Sequence, residues 1–330
     1  MKLSVAIPTY NGAKYIREAL DSIISQLGDI DEEIEIVISD NASTDRTPEI
    51  IKEYQNKYSF IRCFRNDKNL GADRNFDLVI RQSKGEYVWL FGDDDKLEGG
   101  AYKKVLEVLR KYPKAGFIFV NYSSYNGDFS ICIKERNLEL MKDVYCNSAD
   151  EFYSMTKIAS IVISSNIVNR NLWNYVNKDK FIGTNWIHFC VVTSYLKGHS
   201  AYCIANPYVV LRQGSAVRCM DNGKLLIYSN KLSSIIKTLV KMGYERNTVK
   251  GMLDSIKVNL WKTIIGAKMT DLNLNFPLLK MTTKNFGNYP SFWLVDFPLL
   301  LLPNIFYKIL HKFILQVKRV KQIYGKRKIS

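Results

Sequence analysis

Glycine-rich phosphate loops are missing from this 330-residue chain: neither GxGxxG nor GxxxxGKS/T occurs. That argues against a standard dinucleotide or P-loop site. The six cysteines (Cys63, Cys132, Cys146, Cys190, Cys203 and Cys219) show no CxxC or other ligand spacing. Scattered thiols in a chain of this size fit a reducing compartment better than a disulfide framework. The first residues, Met1-Lys2-Leu3-Ser4-Val5, enter a short strand at once and leave no room for a signal-peptide apolar region. No apolar run reaches the uninterrupted length of a membrane span. These absences predict a cytoplasmic protein, and internal repeats are absent as well.

What is present is a chain 47% hydrophobic, enough to bury one large domain with an appendage. The formal charge of +15 is unevenly spread. Residues 1–100 carry 13 Lys+Arg against 19 Asp+Glu, and the remaining 230 carry 34 against 13. An acidic front and a basic back suggest two jobs, the second facing an anionic surface.

Short apolar runs alternate with helical spacing through the first 120 residues. Strands are expected at 3–8, 35–39, 61–64, 87–91 and 117–120, with helices over 12–26, 47–57, 72–81 and 100–112. This predicts a doubly wound α/β domain with a mostly parallel sheet. Residues 122–147 lack periodicity. Beyond them, 160–165 reads as a strand, 185–196 as a helix and 202–211 as two short strands around Pro207. Helical patterns cover 225–242 and 249–267.

Three polar loops follow strand ends: Thr9-Tyr10-Asn11, Asp40 to Asp45, and Asp93-Asp94-Asp95. In a parallel sheet such loops converge on one edge, where open α/β sheets bind ligands. Three adjacent carboxylates repel unless a cation compensates them, and hard oxygen ligands suit Mg²⁺ or Mn²⁺. The alternative is an acidic turn ahead of a helix.

Four segments, in order, resemble the family 2 glycosyltransferases, enzymes of GT-A fold that use nucleotide-sugar donors. They are Val5-Ala6-Ile7-Pro8-Thr9-Tyr10-Asn11, Val37 through Asp45, Asn69-Leu70-Gly71-Ala72-Asp73-Arg74-Asn75, and Gly85 through Asp95. The Leu-Phe-Gly-Asp-Asp-Asp wording is similar to the abequosyltransferase-like branch of bacterial surface-polysaccharide enzymes. The resemblance implies a GT-A, Rossmann-like sheet flanked by helices, with a helical C-terminal extension. It implies donor contacts from Pro8, Thr9, Tyr10 and Asn11, from Asp40 and Arg74 near the base, and from Asp93 and Asp94. Asp40 reads equally as an Asx-turn residue and Arg74 as a surface arginine. Setting Leu97-Glu98-Gly99-Gly100 against the family's Leu-Glu-Pro-Gly turn makes Asp94 the first metal ligand and Asp95 the second. Gly92 then stands where the family has its first aspartate.

The general base of inverting enzymes comes, in the family, from a Glu-Asp pair opening a helix of the second half. Here Thr184-Asn185 takes that place, and Asn185 cannot accept a proton. His188, one turn on, is the candidate base, with an ordinary pKa near ~6.5; its alternative is a packed core residue. Asp95 is a further catalytic candidate, and Asp179 and Asp150 are poorer ones. Arg212 and Arg218 either contact the donor pyrophosphate or are solvated loop cations.

Residues 304–330 carry eight Lys or Arg and no acid, interleaved with Ile305, Phe306, Ile309, Leu310, Phe313 and Val317. The pattern suits an amphipathic helix on an anionic membrane, each cation contributing about 1 kcal/mol. A terminal helix packed on its own domain is the alternative. The expectation is a glycosyltransferase on the inner face of the cell membrane, moving one sugar from a nucleotide diphosphate to a lipid-linked oligosaccharide. Residues 1–121 would form the donor half, 122–220 the acceptor half, and 221–330 a basic membrane-associating region. A nucleotidyltransferase, a catalytically dead homologue, or a basic nucleic-acid binder with a degenerate nucleotide module are the rivals. No nucleic-acid motif supports the last.

Overall fold

The computed structural model describes residues 2–28, 35–213, 222–269 and 275–309. The chain divides into two compact units, Met1–Ala216 with Lys237–Met252, and Val217–Ile236 with Leu253–Ser330.

The first unit opens with β1 (Leu3–Thr9), α1 (Ile16–Ile24), β2 (Glu35–Asp40), α2 (Thr47–Lys57), β3 (Ile61–Arg65), α3 (Ala72–Gln82) and β4 (Tyr87–Leu90). All of β1, β2 and β4 is buried, as expected of central strands covered on both faces. The one acid at the start of β2, Glu35, is reconciled with burial by Arg62 and by hydrogen bonds from Ser4 Oγ (2.6 Å) and the Lys84 N–H (2.9 Å). Asp45 begins α2 by accepting from the Thr47 N–H at 3.0 Å, with Pro48 in the first turn, where its missing N–H costs nothing.

Next come β5 (Lys96–Leu97), α4 (Ala101–Lys111), β6 (Phe117–Tyr125), β7 (Cys132–Lys134), β8 (Val144–Cys146), α5 (Ala149–Thr156), β9 (Asn166–Asn169), α6 (Arg170–Tyr175), α7 (Ile187–Leu196) and β10 (Ala201–Arg212). The strand order is β3-β2-β1-β4-β9-β6-β10-β5, with β7 on β6 and β8 on β10. The expected parallel pairing holds from β3 to β4 and again between β6 and β10. Between these blocks β9 runs antiparallel to both β4 and β6, so the sheet is mixed.

Two boundaries differ from expectation. Residues 159–165 form two 3₁₀ turns, and the strand follows at Asn166. The expected pair around Pro207 is a single strand, β10, whose register shifts between Ile204 and Val209; the break accommodates the residue that has no N–H to donate. The five described cysteines are free thiols.

α8 (Asn222–Thr238), α9 (Arg246–Lys257), α10 (Leu260–Met269), α11 (Phe276–Phe286) and α12 (Phe297–Leu301) follow among the described residues. The helix expected over 249–267 is thus two. Within the second unit, Asn230 of α8 donates to Thr282 Oγ1 and accepts from Asn285 Nδ2 of α11, both at 3.0 Å. No helix among the described residues is long and apolar enough to cross a membrane.

Candidate functional site

The loops after β1, β2 and β4 are stitched to one another. Thr9 Oγ1, buried at the end of β1, donates to Asp93 Oδ2 at 2.5 Å. Gly12 permits that contact: a Cβ there would lie 2.3 Å from the same oxygen and 2.4 Å from Thr9 Oγ1. Asn11, at a φ of 54°, donates its backbone N–H to Ser43 Oγ and accepts the Thr44 N–H on Oδ1, each at 2.8 Å. The Ala13 N–H reaches Asp45 Oδ2 at 3.1 Å. The convergence inferred from strand order is therefore built from side-chain bonds. Pro8 is buried within β1, whereas Tyr10 is 40% exposed.

Asp40 is buried, accepts the Ser43 N–H on Oδ1 at 3.0 Å and pairs with Arg65 through Oδ2. Beside it, four asparagines lock the neighbouring turns. Asn41 donates to Asn69 Oδ1 (2.9 Å) and accepts from Asn66 Nδ2 (3.0 Å) and the Leu70 N–H (2.9 Å). Asn75 of α3 accepts Ser39 Oγ at 2.6 Å. Arg74, on the first turn of α3, is exposed and has no partner among the described residues.

In the aspartate turn the three carboxylates have different surroundings. Asp95 is buried; its Oδ2 accepts Ser164 Oγ, and its Oδ1 accepts the Arg212 N–H at 3.1 Å. Burial, reinforced by the charge of Asp94, pushes its carboxyl up to about 8. Ser164 also accepts the Gly92 N–H at 2.9 Å. A Cβ on Gly92 would stand 3.0 Å from Asp95 Oδ2 and 3.1 Å from both Asp94 Oδ1 and Ser164 Oγ. At Gly92, where the resemblance implies an aspartate, the absence of a Cβ leaves space into which the carboxylates of Asp94 and Asp95 fold. Asp94 is half-buried, and its carboxylate makes no hydrogen bond or ion pair among the described residues.

Arg212 braces this turn. Its Nε donates to the Asp94 carbonyl at 2.9 Å, its terminal nitrogens reach the Gly127 carbonyl and Glu18, and its guanidinium lies 3.9 Å from the Phe129 ring centre and 4.3 Å from that of Tyr15. It lines a cavity of about 460 Å³ together with Lys14, Tyr15, Glu18 and the Asn126–Asp128 turn.

The loop entering α7 is held from α3. The buried carboxylate of Asp73 accepts the N–H groups of Asn185 (2.9 Å) and Ile187 (3.2 Å), with those of Gly183 and Thr184 also directed to it. Burial raises its carboxyl above the ordinary range, against the pull of those donors. Gly183 and Asn185 both take positive φ, 84° and 63°, which wraps the backbone around the carboxylate.

Three sequence-based roles do not fit this geometry. His188 is 1% exposed, sits against Phe76 and Trp186, and places Nε2 2.8 Å from the Ile161 carbonyl. Burial lowers its pKa to about 4, so it is a neutral core residue out of reach of an acceptor hydroxyl. Asp95 spends both oxygens inside the protein, which removes it as an open ligand or proton acceptor. Arg212 spends its donors on the protein, and a pyrophosphate would have to displace them. Asn185 sits at the expected helix start but supplies backbone geometry, not a base. Arg218 lies outside the described residues.

Sequence reading also missed contributors. Asn69 and Asn75 lay inside a quoted motif without a role, and Gly12 adjoined another. Ser164 is about seventy residues from the aspartates it holds and carried no local signal.

The residues present fit a divalent cation through Asp94. Mg²⁺ commonly takes one or two carboxylates and completes its shell with water and phosphate oxygens. An unbonded carboxylate beside a buried acid destabilised by like charge meets that need. No cage of three or more His, Cys, Asp or Glu occurs among the described residues.

Residues 4–170 match the family described as Glycosyl transferase family 2. Over 227 residues the chain is 33% identical to abequosyltransferase RfbV of Salmonella typhimurium, covering 64% of this chain and 67% of that protein. A 96-residue stretch is 36% identical to the poly(ribitol-phosphate) beta-N-acetylglucosaminyltransferase TarS of Staphylococcus aureus, covering 29% of this chain and 16% of the other. The fold is similar to that of S. aureus TarS 1-349 in complex with UDP (TM-score 0.60, 17% identity, 88% and 89% of the two chains). It is also similar to the mannosyltransferase PcManGT from Pyrobaculum calidifontis in complex with GDP-Man and Mn2+ (TM-score 0.54, 15% identity, 94% and 86% covered).

Proposed function

The chain belongs to glycosyl transferase family 2, in the abequosyltransferase-like branch, and from that membership we propose that it moves a single sugar from a nucleotide-diphosphate donor to a lipid-linked saccharide. The product would be a repeat unit of a bacterial surface polysaccharide, assembled at the inner face of the cell membrane. The observation that carries this reading is the stitched edge, where Thr9, Asn11, Ser43, Asp45 and Asp93 bring three strand-end loops into one surface.

On this reading residues 1–121 bind the donor, 122–220 receive the acceptor, and 221–330 associate with the membrane. Tyr10 and Arg74, exposed beside that edge, receive the nucleobase, and Asp40 with Arg65 fixes the loop between them. Asp94 holds Mg²⁺ or Mn²⁺, which when bound offsets the charge gathering on the departing nucleoside diphosphate. Asp95, Ser164 and Arg212 keep the turn carrying Asp94 in one conformation, so no reorganisation is needed as that charge develops.

A thermal-shift series with UDP, GDP, CDP and dTDP, each with and without Mn²⁺, tests the donor half. One nucleotide should raise the melting midpoint, and Mn²⁺ should enlarge the rise. Four nucleotides without effect would end the donor reading.

A further inference from the structure

The second unit exposes apolar side chains where a surface helix normally shows polar ones. Residues 292–296 form a π-helical turn that runs into α12. Phe292, Asp296 and Leu300, four residues apart, are all fully buried and form the inward stripe. Between them Trp293 is 47% exposed, Leu294 80% and Val295 47%, while Phe297 and Leu299 are half-buried. From the last residue of α12 onward the outward residues are again apolar, with Leu301, Ile305, Phe306 and Ile309 each 56–60% exposed. From Ser291 to Tyr307 the only charged residue is Asp296, and Lys257 neutralises it inside the unit at 2.6 Å. The surface of this 17-residue segment thus carries no charge.

Charge returns immediately afterwards, with one sign. Residues 308–330 contain eight Lys or Arg and no Asp or Glu, and Lys308 follows Tyr307 directly. The described acids of the C-terminal stretch are satisfied internally, Asp254 by the Tyr289 hydroxyl at 2.8 Å and Asp296 by Lys257. An uncharged apolar face followed in sequence by a cationic stretch without acids matches the two layers of an anionic bilayer surface, acyl chains and headgroups. A water-soluble protein partner would call for polar rim groups that this segment lacks.

We propose that residues 293–309 form a monotopic insertion surface for an anionic phospholipid bilayer, with Trp293 and Leu294 at its leading edge. This rests on, and narrows to one segment, the membrane association proposed above for residues 221–330, and it would keep the enzyme where a lipid-linked acceptor resides. It also differs from a purely electrostatic tail, because the apolar turn itself enters the lipid.

The test uses the full chain, vesicles of phosphatidylglycerol and phosphatidylcholine, and the double variant Leu294→Ser/Leu301→Ser, whose side chains are mostly in solvent. Wild type should float with anionic vesicles, and brominated acyl chains should quench tryptophan fluorescence, with Trp293 the reporter. The double variant should bind at least about tenfold more weakly, since it loses the burial of two leucines in lipid. Its melting midpoint and nucleotide-induced thermal shift should stay at wild-type values. The idea fails if wild type ignores anionic vesicles, if the variant binds them as well as wild type, or if no quenching occurs. It fails equally if sedimentation shows a wild-type dimer that the double variant abolishes, because the face then belongs to a second copy. The vesicle-free nucleotide shift separates failure of docking from failure of the donor reading.

Discussion

The loops at the β1, β2 and β4 ends hold one another, whereas the loop entering α7 is held from outside by Asp73. On the first edge, Thr9 meets Asp93, Asn11 meets Ser43 and Thr44, Ala13 meets Asp45, and four asparagines close the neighbouring turns. A single loss there leaves other ties in place. At α7 several backbone N–H groups point at one buried carboxylate. Where the resemblance implies acids at the helix start, this chain has Thr184-Asn185, and among the described residues the carboxylate bound there comes from α3. The strand-end edge is held by several independent ties; the loop entering α7 gathers its backbone donors on the single carboxylate of Asp73.

That contrast predicts a graded series. The largest effect belongs to Asp94→Asn, which should lower transfer by about 10²–10³ or more, because it removes the carboxylate proposed to hold the divalent cation. Its melting midpoint should not fall below wild type, since the carboxylate makes no hydrogen bond or ion pair among the described residues and its charge only opposes that of Asp95. Wild-type turnover in this variant would break the donor side of the comparison. Next, Asp73→Ala should cost about 1–3 kcal/mol of stability, because it orphans buried N–H donors. It should reduce transfer while leaving the nucleotide-induced thermal shift intact. Loss of nucleotide binding instead would mean that the two sides are not separable.

How far these two sides were legible in the sequence follows the same contrast. β1 to β4 and their three polar loops could be placed because each loop's chemistry sits within a few residues of its strand, and buried parallel strands read as continuous apolar runs. The turn after them set Asp94 apart from Asp93, and the two carboxylates do have different surroundings, Asp93 accepting Thr9 Oγ1 and Asp94 lying half-buried. The roles given to His188, Arg212 and Asp95 depended on contacts across long sequence separations: Ile161 for His188, Glu18 and Gly127 for Arg212, Ser164 for Asp95. No spacing rule reports whether a polar side chain already has a partner. β9 was misplaced by six residues because 159–165 is apolar enough to be a strand but winds into 3₁₀ turns. The basic tail beyond Ile309 lies outside the described residues, and the apolar turn at 293–295 was visible in the sequence only as a hydrophobic stretch broken by Asp296.

A smaller effect probes the redundancy of the donor edge. Gly12→Ala forces a methyl group against Asp93 and Thr9, so one of them must move, at about 1–3 kcal/mol. The Asn11–Ser43 and Ala13–Asp45 ties should keep the loops together. Transfer should therefore fall by about tenfold, short of the loss in Asp94→Asn, and the nucleotide shift should weaken without vanishing. Equal losses in the two variants would mean that the edge depends on a single contact after all.

The smallest effect on catalysis is expected at His188, and its signature is pH. In the folded protein burial holds this imidazole near 4, against about 6.5 in the unfolded chain. Between those values the unfolded state binds a proton that the folded state does not. The stability contributed by the neutral ring is therefore fully present above pH 6.5 and is lost as pH falls towards 4. Between pH 7 and pH 5 this one group should remove about 2 kcal/mol. His188→Gln retains an amide donor for the Ile161 carbonyl but cannot titrate, so its unfolding midpoint should fall less steeply over that range. Its transfer rate between pH 6 and 8 should follow the wild-type profile, because a ring sealed against Phe76 and Trp186 takes no proton from an acceptor. If His188→Gln instead flattened the rate profile in that window, the imidazole would be the base, and α7 would carry its own catalytic group.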